Sequence, residues 1–170
     1  MTVSEVVEFA HNLILESKHK KVAVDATLGN GHDSLLLAKN FEKVYGFDIQ
    51  QLAIRRSKRL LSNYQNVSVY LASNTLIDKY VKDEIDLVIF NLGFLPGSDR
   101  KVKTNANDTV SAIAKILPQL SNDGEIIIVC YLRHDNGTEF NQIVEYLNLN
   151  KFNHLIYDQF KFDKVIIVKK

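Results

Sequence analysis

A single cysteine, Cys130, stands in this chain of 170 residues. One thiol supports neither an internal disulfide framework nor a multi-cysteine zinc site, so the fold is held by buried apolar surface and hydrogen bonds. Cys130 itself lies in the run Ile126-Ile127-Ile128-Val129-Cys130 and reads as a small core residue. Proline occurs only at Pro96 and Pro118, and no linker, low-complexity tract or internal repeat interrupts the chain. No apolar stretch approaches the roughly 20 residues needed to cross a bilayer. The start, Met1-Thr2-Val3-Ser4-Glu5, has neither the basic nor the apolar region of a secretion signal. The expectation is a cytoplasmic protein with one domain over residues 1–170 and no membrane partner. His11, His19 and His154 have no partner spacing for a metal, and none is expected. Net charge is only +1. A balanced total neither indicates nor excludes nucleic acid, because it can hide a one-sided patch.

What the chain does have is a regular alternation of elements. Val3, Val6, Val7, Ala10 and Ile14 recur at helical spacing, and Thr2 with Glu5 fits a capping box. Val22-Ala23-Val24 reads as a strand, followed by a glycine turn and a helix through Leu35, Leu36 and Ala38. Val44 to Phe47 is a second strand, and Ile49, Leu52 and Ala53 open a helix that ends near Asn63. Val67 to Leu71 and Ile85 to Phe90 are further strands. A helix through Val110, Ile113, Ala114 and Leu117 is closed by Asn122-Asp123-Gly124, and a fifth strand lies within Glu125 to Leu132. Continuous apolar strands between helices predict a parallel, doubly wound α/β sheet covered on both faces.

The C-terminus departs from that rhythm. His154 to Tyr157 and Val165 to Val168 read as strands, with only residues 158–164 between them. A parallel crossover needs a dozen or more residues, so these strands either form a hairpin or lie antiparallel about a third strand. The result is a Rossmann-like seven-stranded sheet, mostly parallel with an antiparallel C-terminal strand. That is the layout of class I methyltransferases, whereas nicotinamide-binding domains keep the last strand parallel.

The first turn, Asp25-Ala26-Thr27-Leu28-Gly29-Asn30-Gly31-His32-Asp33, sits between a strand and a helix. Glycines there permit a tight turn and close approach of backbone to ligand. Ser34 occupies the place of the third glycine of a dinucleotide fingerprint, which counts against a pyrophosphate and is compatible with a methionine-derived cofactor. Thr27, Gly29, Asn30, Gly31, His32 and Asp33 are candidate cofactor contacts, although His32 is equally a plain helix-start residue. Asp25 either holds the amino group of the methionine moiety or orders the loop through nearby amides. Asp48 ends the second strand, about 20 residues beyond the turn, where a carboxylate accepts both ribose hydroxyls. Its alternative is to cap the helix beginning at Ile49. Ile49 and Gln50 are counted with the cofactor site. Ser73 and Asn74 follow the third strand, where an adenine would lie, or form a plain turn.

Asn91-Leu92-Gly93-Phe94-Leu95-Pro96-Gly97 ends the fourth strand, in the region where open α/β sheets bind ligands. An Asn side-chain oxygen there accepts an N–H and aligns a nitrogen nucleophile, unless Asn91 merely shapes the loop. With the first turn, with Asp99, and with Thr104 and Thr109, this segment resembles a bacterial family labelled rRNA methylases. Its studied members look like MnmM-type enzymes, which methylate 5-aminomethyl-(2-thio)uridine at the tRNA wobble position. The resemblance spans nearly the whole chain and departs at Tyr131-Leu132-Arg133-His134-Asp135-Asn136-Gly137, where Arg133 and Asn136 replace family glycines.

The resemblance implies S-adenosylmethionine as cofactor and tRNA, through its anticodon arm, as partner. It makes Asn91 catalytic, also touching the cofactor, with Asp99 or His134 as proton acceptor. Phe94 would stack on the target base, and Arg100, Lys101 and Lys103 would meet phosphates. A homodimer would share the anticodon arm. The alternatives are an rRNA or small-molecule N-methyltransferase with the same cofactor site, a nicotinamide-dependent oxidoreductase, and a non-catalytic RNA-binding domain.

Overall fold

The computed structural model describes residues 4–97 and 103–170. The chain builds α1 (Glu5–Glu16), β1 (Val22–Asp25), α2 (His32–Asn40), β2 (Lys43–Asp48), α3 (Gln51–Leu60), β3 (Val67–Leu71), α4 (Ile77–Tyr80) and β4 (Ile85–Asn91). Then follow α5 (Ala106–Ile116), β5 (Leu120–Tyr131), α6 (Thr138–Leu149), β6 (His154–Tyr157) and β7 (Asp163–Lys169). They form one seven-stranded sheet in the order β3-β2-β1-β4-β5-β7-β6. The first five strands are parallel. β7 runs antiparallel to β5, and β6 pairs antiparallel with β7, so the two C-terminal strands form the hairpin.

The two-residue period of the strands divides the core. Val88, Phe90, Ile126 and Ile128 pack with Ile113 of α5 and Ile143 of α6. The intervening residues Leu87, Ile89, Ile127 and Val129 pack with Val6, Ala10 and Ile14 of α1 and Leu37 of α2. Both faces of the central strands are therefore buried, which is why they read as continuous apolar runs. No helix among the described residues is long and apolar enough to cross a membrane.

Several local expectations are corrected. Ser4, not Thr2, is the α1 N-cap, and its side chain makes no cap bond. Glu5 is then the first helical residue rather than the third, and Thr2 lies outside the described residues. α3 begins at Gln51, after Ile49, which is 62% exposed. Asn122-Asp123-Gly124 does not close α5. That helix ends at Ile116, and β5 begins at Leu120 with an irregularity that shifts its register against β4. Asp123 sits there with φ of 66°, a conformation in which Asp is tolerated better than most residues. α4 was not anticipated, because a single helical turn is too short to establish a 3.6-residue period.

Asp86, within β4, ties together the N-terminal ends of β1 and β5, the strands on either side of it. Its Oδ2 accepts the Lys21 and Val22 backbone N–H groups at 2.9 and 3.0 Å, and its Oδ1 accepts the Ser121 hydroxyl at 2.6 Å. Asp86→Ala leaves these donors without their acceptor and is expected to lower stability by about 2–4 kcal/mol. Denaturant titration checks this, and a loss below about 0.5 kcal/mol would contradict it.

Candidate active site at the carboxyl edge of the sheet

A cavity of about 770 Å3 opens where the loops after β1, β2, β3, β4 and β5 meet α1. Its size falls among small-molecule sites. It straddles β1 and β4, between which the strand order reverses. At such a switch point successive connections leave for opposite faces, and a crevice remains between them.

The turn after β1 is pinned on both sides. Ala26 N–H donates to Ile89 O at 2.9 Å, and Leu28 N–H donates to Phe47 O at 2.9 Å. Gly31 has φ of +85°, and a Cβ there would stand 2.9 Å from the Ser57 Cβ. It lets α2 pack directly on α3 and does not line the cavity. Asp25 also stays behind the wall. It is fully buried, accepting the Thr27 N–H at 3.2 Å and the Ser34 hydroxyl at 2.6 Å. Asp25 therefore orders the loop, and neither Asp25 nor Gly31 is among the residues that line the cavity. Burial, helped by the neighbouring Asp33 charge, pushes the Asp25 carboxyl up to about 7.

Asp48 does line the cavity. Its oxygens accept the Gly29 N–H at 2.9 Å and the Gln50 N–H at 2.8 Å, which bind the β1 and β2 loops together. It is not the α3 cap. The Ile49 N–H is directed at the same carboxylate, and of its roughly four acceptor sites at least one stays free for a hydroxyl. Thr27, Asn30, His32, Ile49, Gln50, Ser73 and Asn74 share this wall. Asn74 Nδ2 donates to Ala26 O at 3.3 Å, and Ser73 Oγ accepts the Thr75 N–H at 3.2 Å, so both also order their own turn. Lys39 and Lys103 also line the cavity. The Asp48 carboxylate suits the ribose hydroxyls of an adenosine.

The opposite wall is built around Asn91. Its backbone N–H donates to Thr27 Oγ1 at 2.6 Å, and its Nδ2 donates to Asp33 Oδ2 at 3.1 Å. Asp33 Oδ1 lies 2.7 Å from His11 Nε2, on α1. His11 lines the cavity and escaped the sequence reading, because 22 residues separate it from Asp33 and linear spacing carries no trace of the contact. Tyr131 also hydrogen-bonds with the Asn91 side chain.

Gly93 has φ of +142°, and a Cβ there would come 2.8 Å from His134 Nδ1. The missing side chain admits the His134 ring, which lies 4.9 Å from the Phe94 ring and 5.1 Å from the Tyr131 ring between centroids. Gly93 N–H donates to Thr104 Oγ1, which donates to Glu139 Oε2, each at 2.9 Å. Thr109 donates to Glu139 Oε1 at 2.9 Å. Glu139 thus braces the loop after β4 from α6, and burial raises its pKa. Lys103 lines the same mouth and donates to His134 O at 3.4 Å. Asp99, Arg100 and Lys101 lie outside the described residues. Arg56 of α3 donates to Asn30 Oδ1 at 3.2 Å and to Pro96 O at 2.9 Å. Burial pushes the Cys130 thiol far up, so it is no nucleophile. No cluster of metal-ligating side chains occurs among the described residues.

The family model described as "Putative rRNA methylase" matches residues 44–165. A chloroplastic tRNA (mnm(5)s(2)U34)-methyltransferase of Arabidopsis thaliana is 30% identical over 138 residues, covering 72% of this chain and 50% of that protein. The chain thus spans about half the length of that curated relative. A protein of Streptococcus mutans, described as a putative methyltransferase in complex with SAH, superposes with a TM-score of 0.87 at 30% identity and 99% coverage of both chains. A protein of Clostridium thermocellum described as a putative rRNA-methylase gives 0.90 at 28% identity over 100% of both chains. The fold is that of class I methyltransferases.

The raised pKa of Asp25 makes stability depend on pH. The folded chain holds this proton more tightly than the unfolded chain, whose value is 3.8. The contribution is complete below about pH 4 and is lost as pH rises through about 7. Asp25→Asn keeps the shape without titrating. Its stability relative to wild type is expected to improve between about pH 4 and pH 7 in denaturant titrations. Parallel pH profiles would contradict the assignment.

Proposed function

This chain belongs to the rRNA methylase family, and we propose that it is an S-adenosylmethionine-dependent methyltransferase whose substrate is RNA. More finely, it methylates the 5-aminomethyl group of (2-thio)uridine at tRNA wobble position 34, giving the 5-methylaminomethyl form. The observation that carries this reading is the Asn91 amide, tethered at the wall of the cofactor-sized cavity beside the aromatic cluster of Phe94, Tyr131 and His134. The name of the Arabidopsis relative supports the wobble uridine over other RNA targets.

When bound, S-adenosylmethionine supplies a methyl group on a sulfonium centre. The chain's own residues do the rest. Asp48 accepts the ribose hydroxyls from the end of β2, while Thr27, Gly29, Asn30, His32, Ile49, Gln50, Ser73 and Asn74 form the remaining cofactor wall. Asn91 Oδ1 accepts an N–H of the substrate amine and turns the nitrogen lone pair toward the methyl carbon. Nitrogen gains the methyl group, the carbon–sulfur bond breaks, and the displaced proton passes to His134, to Asp99 or to water. Alignment supplies the rate enhancement, and no covalent enzyme intermediate is needed.

RNA recognition follows the same geometry. An anticodon-loop base splays from its stack and is met by aromatic rings, here Phe94 with His134 behind it. Lys103, together with Arg100 and Lys101, meets the flanking phosphates. In a homodimer that shares the anticodon arm, the edge strand β6, with Leu155 and Ile156 exposed, is available for contact with a second copy.

Incubation with labelled S-adenosylmethionine tests this directly. Label is expected in tRNA that carries the unmethylated aminomethyl uridine and not in tRNA lacking the amine. Label in rRNA alone would replace the wobble assignment with the rRNA reading. Asn91→Ala is expected to bind S-adenosylhomocysteine much as wild type does, yet to transfer methyl at least about tenfold more slowly in single turnover. Full rates would make Asn91 a loop former only.

A further inference from the structure

Asn91, Asp33 and His11 come from three separate elements. Asn91 ends β4, Asp33 lies in the first turn of α2, and His11 projects from α1 beside the face that buries Val6, Ala10 and Ile14 in the core. The hydrogen bonds of 2.7 Å from His11 to Asp33 and 3.1 Å from Asn91 to Asp33 make one continuous chain along the cavity wall. Asp33 is buried, while His11 is partly exposed.

The chemistry of the chain fixes its polarity. An ionised carboxylate only accepts, so His11 donates through Nε2–H and Asn91 presents its NH2 end to Asp33. The amide cannot then rotate without setting oxygen against oxygen. Oδ1 is left on the other side with at least one lone pair free, whichever way the Tyr131 hydroxyl points. The hydrogen bond from the Asn91 backbone to Thr27 holds the other end of the residue.

We propose that His11 is a positioning residue for methyl transfer: by anchoring Asp33, it fixes the orientation in which Asn91 offers Oδ1 to the reacting amine. Nothing passes through His11. Its role is to occupy one carboxylate oxygen and hold the other on Asn91. Without it, Asp33 is free to rotate and to pair directly with a protonated substrate amine, a complex in which nitrogen has no lone pair to attack. This inference rests on the methyl-transfer reading given above.

Two variants test it. His11→Leu removes the donor, whereas His11→Gln keeps an N–H near the Nε2 position. In 1H–15N spectra of the ligand-free chain, the Asn91 side-chain amide is identified by its loss in Asn91→Ala. It is expected to move to the position of a free asparagine in His11→Leu and to stay near wild type in His11→Gln. In single turnover, His11→Leu is expected to be at least about tenfold slower and His11→Gln to recover most of the rate. Affinity for S-adenosylhomocysteine should stay within about threefold throughout, because the effect lies in orientation and not in cofactor binding. An unmoved Asn91 amide in His11→Leu, or an unchanged rate, would overturn the role of His11. Equal losses in both variants would do the same. If wild type methylates neither tRNA nor rRNA, the methyl-transfer reading fails, and the amide spectra still decide whether His11 sets Asn91.

Discussion

The hydrogen bond from the Asn91 backbone to Thr27 Oγ1, 2.6 Å long, joins the two loops between which the whole site is stretched. One loop leaves β1 and the other leaves β4, the adjacent strands at which the sheet changes direction. A crevice at a switch point is open by topology, and its width depends on what ties its sides. Here Ala26 N–H to Ile89 O adds a second tie, and Asp48 links the β1 loop onward to β2 through Gly29. The cavity walls are therefore registered by backbone groups, and the side chains that carry chemistry inherit fixed origins. Stiff strands buried on both faces by α1, α2, α5 and α6 resist relaxation of those origins.

The electrostatics of the site follow from the same arrangement. Asp25, Asp33, Asp48 and Glu139 surround the cavity or support its loops, and their bond partners are N–H and hydroxyl groups and one histidine, with no lysine or arginine among them. Backbone N–H and hydroxyl donors carry no net charge, so they do not cancel the field of an ionised carboxylate. Such a field favours a cationic sulfonium and a basic amine over a pyrophosphate or another anion. In the proposed reading, the phosphates of an RNA are met outside the cavity, where Lys103 stands at its mouth. That reading asks for a cation inside and a polyanion outside, from a chain whose net charge is only +1.

Much of this was legible in the sequence, for physical reasons that differ by element. β1, β4 and β5 announce themselves because strands covered on both faces must be apolar throughout. The terminal hairpin is readable because residues 158–164 are too few for a crossover. Asp48 and Asn91 stand out in the sequence because they end β2 and β4, where the topology places ligands, whereas His134 is named through the family resemblance. A turn's sequence does not tell which of its residues face the cavity and which face the neighbouring helix, so Asp25 against Ser34 and Gly31 against Ser57 are seen only in the fold. His11 was missed for the opposite reason: its helix is amphipathic and ordinary, and only the three-dimensional approach of α1 to α2 brings it to Asp33. The start of β5 was misplaced because Asn122-Asp123-Gly124 carries turn chemistry inside a strand.

The claim on which the rest depends is that the cavity is built for an adenosine–methionine cofactor and not for a dinucleotide. Titration calorimetry of the full chain with S-adenosylhomocysteine and, separately, with NAD measures this most directly. Micromolar affinity for S-adenosylhomocysteine, on the order of −8 kcal/mol, and no comparable heat with NAD are expected. Tighter binding of NAD, or no binding of S-adenosylhomocysteine, would contradict it.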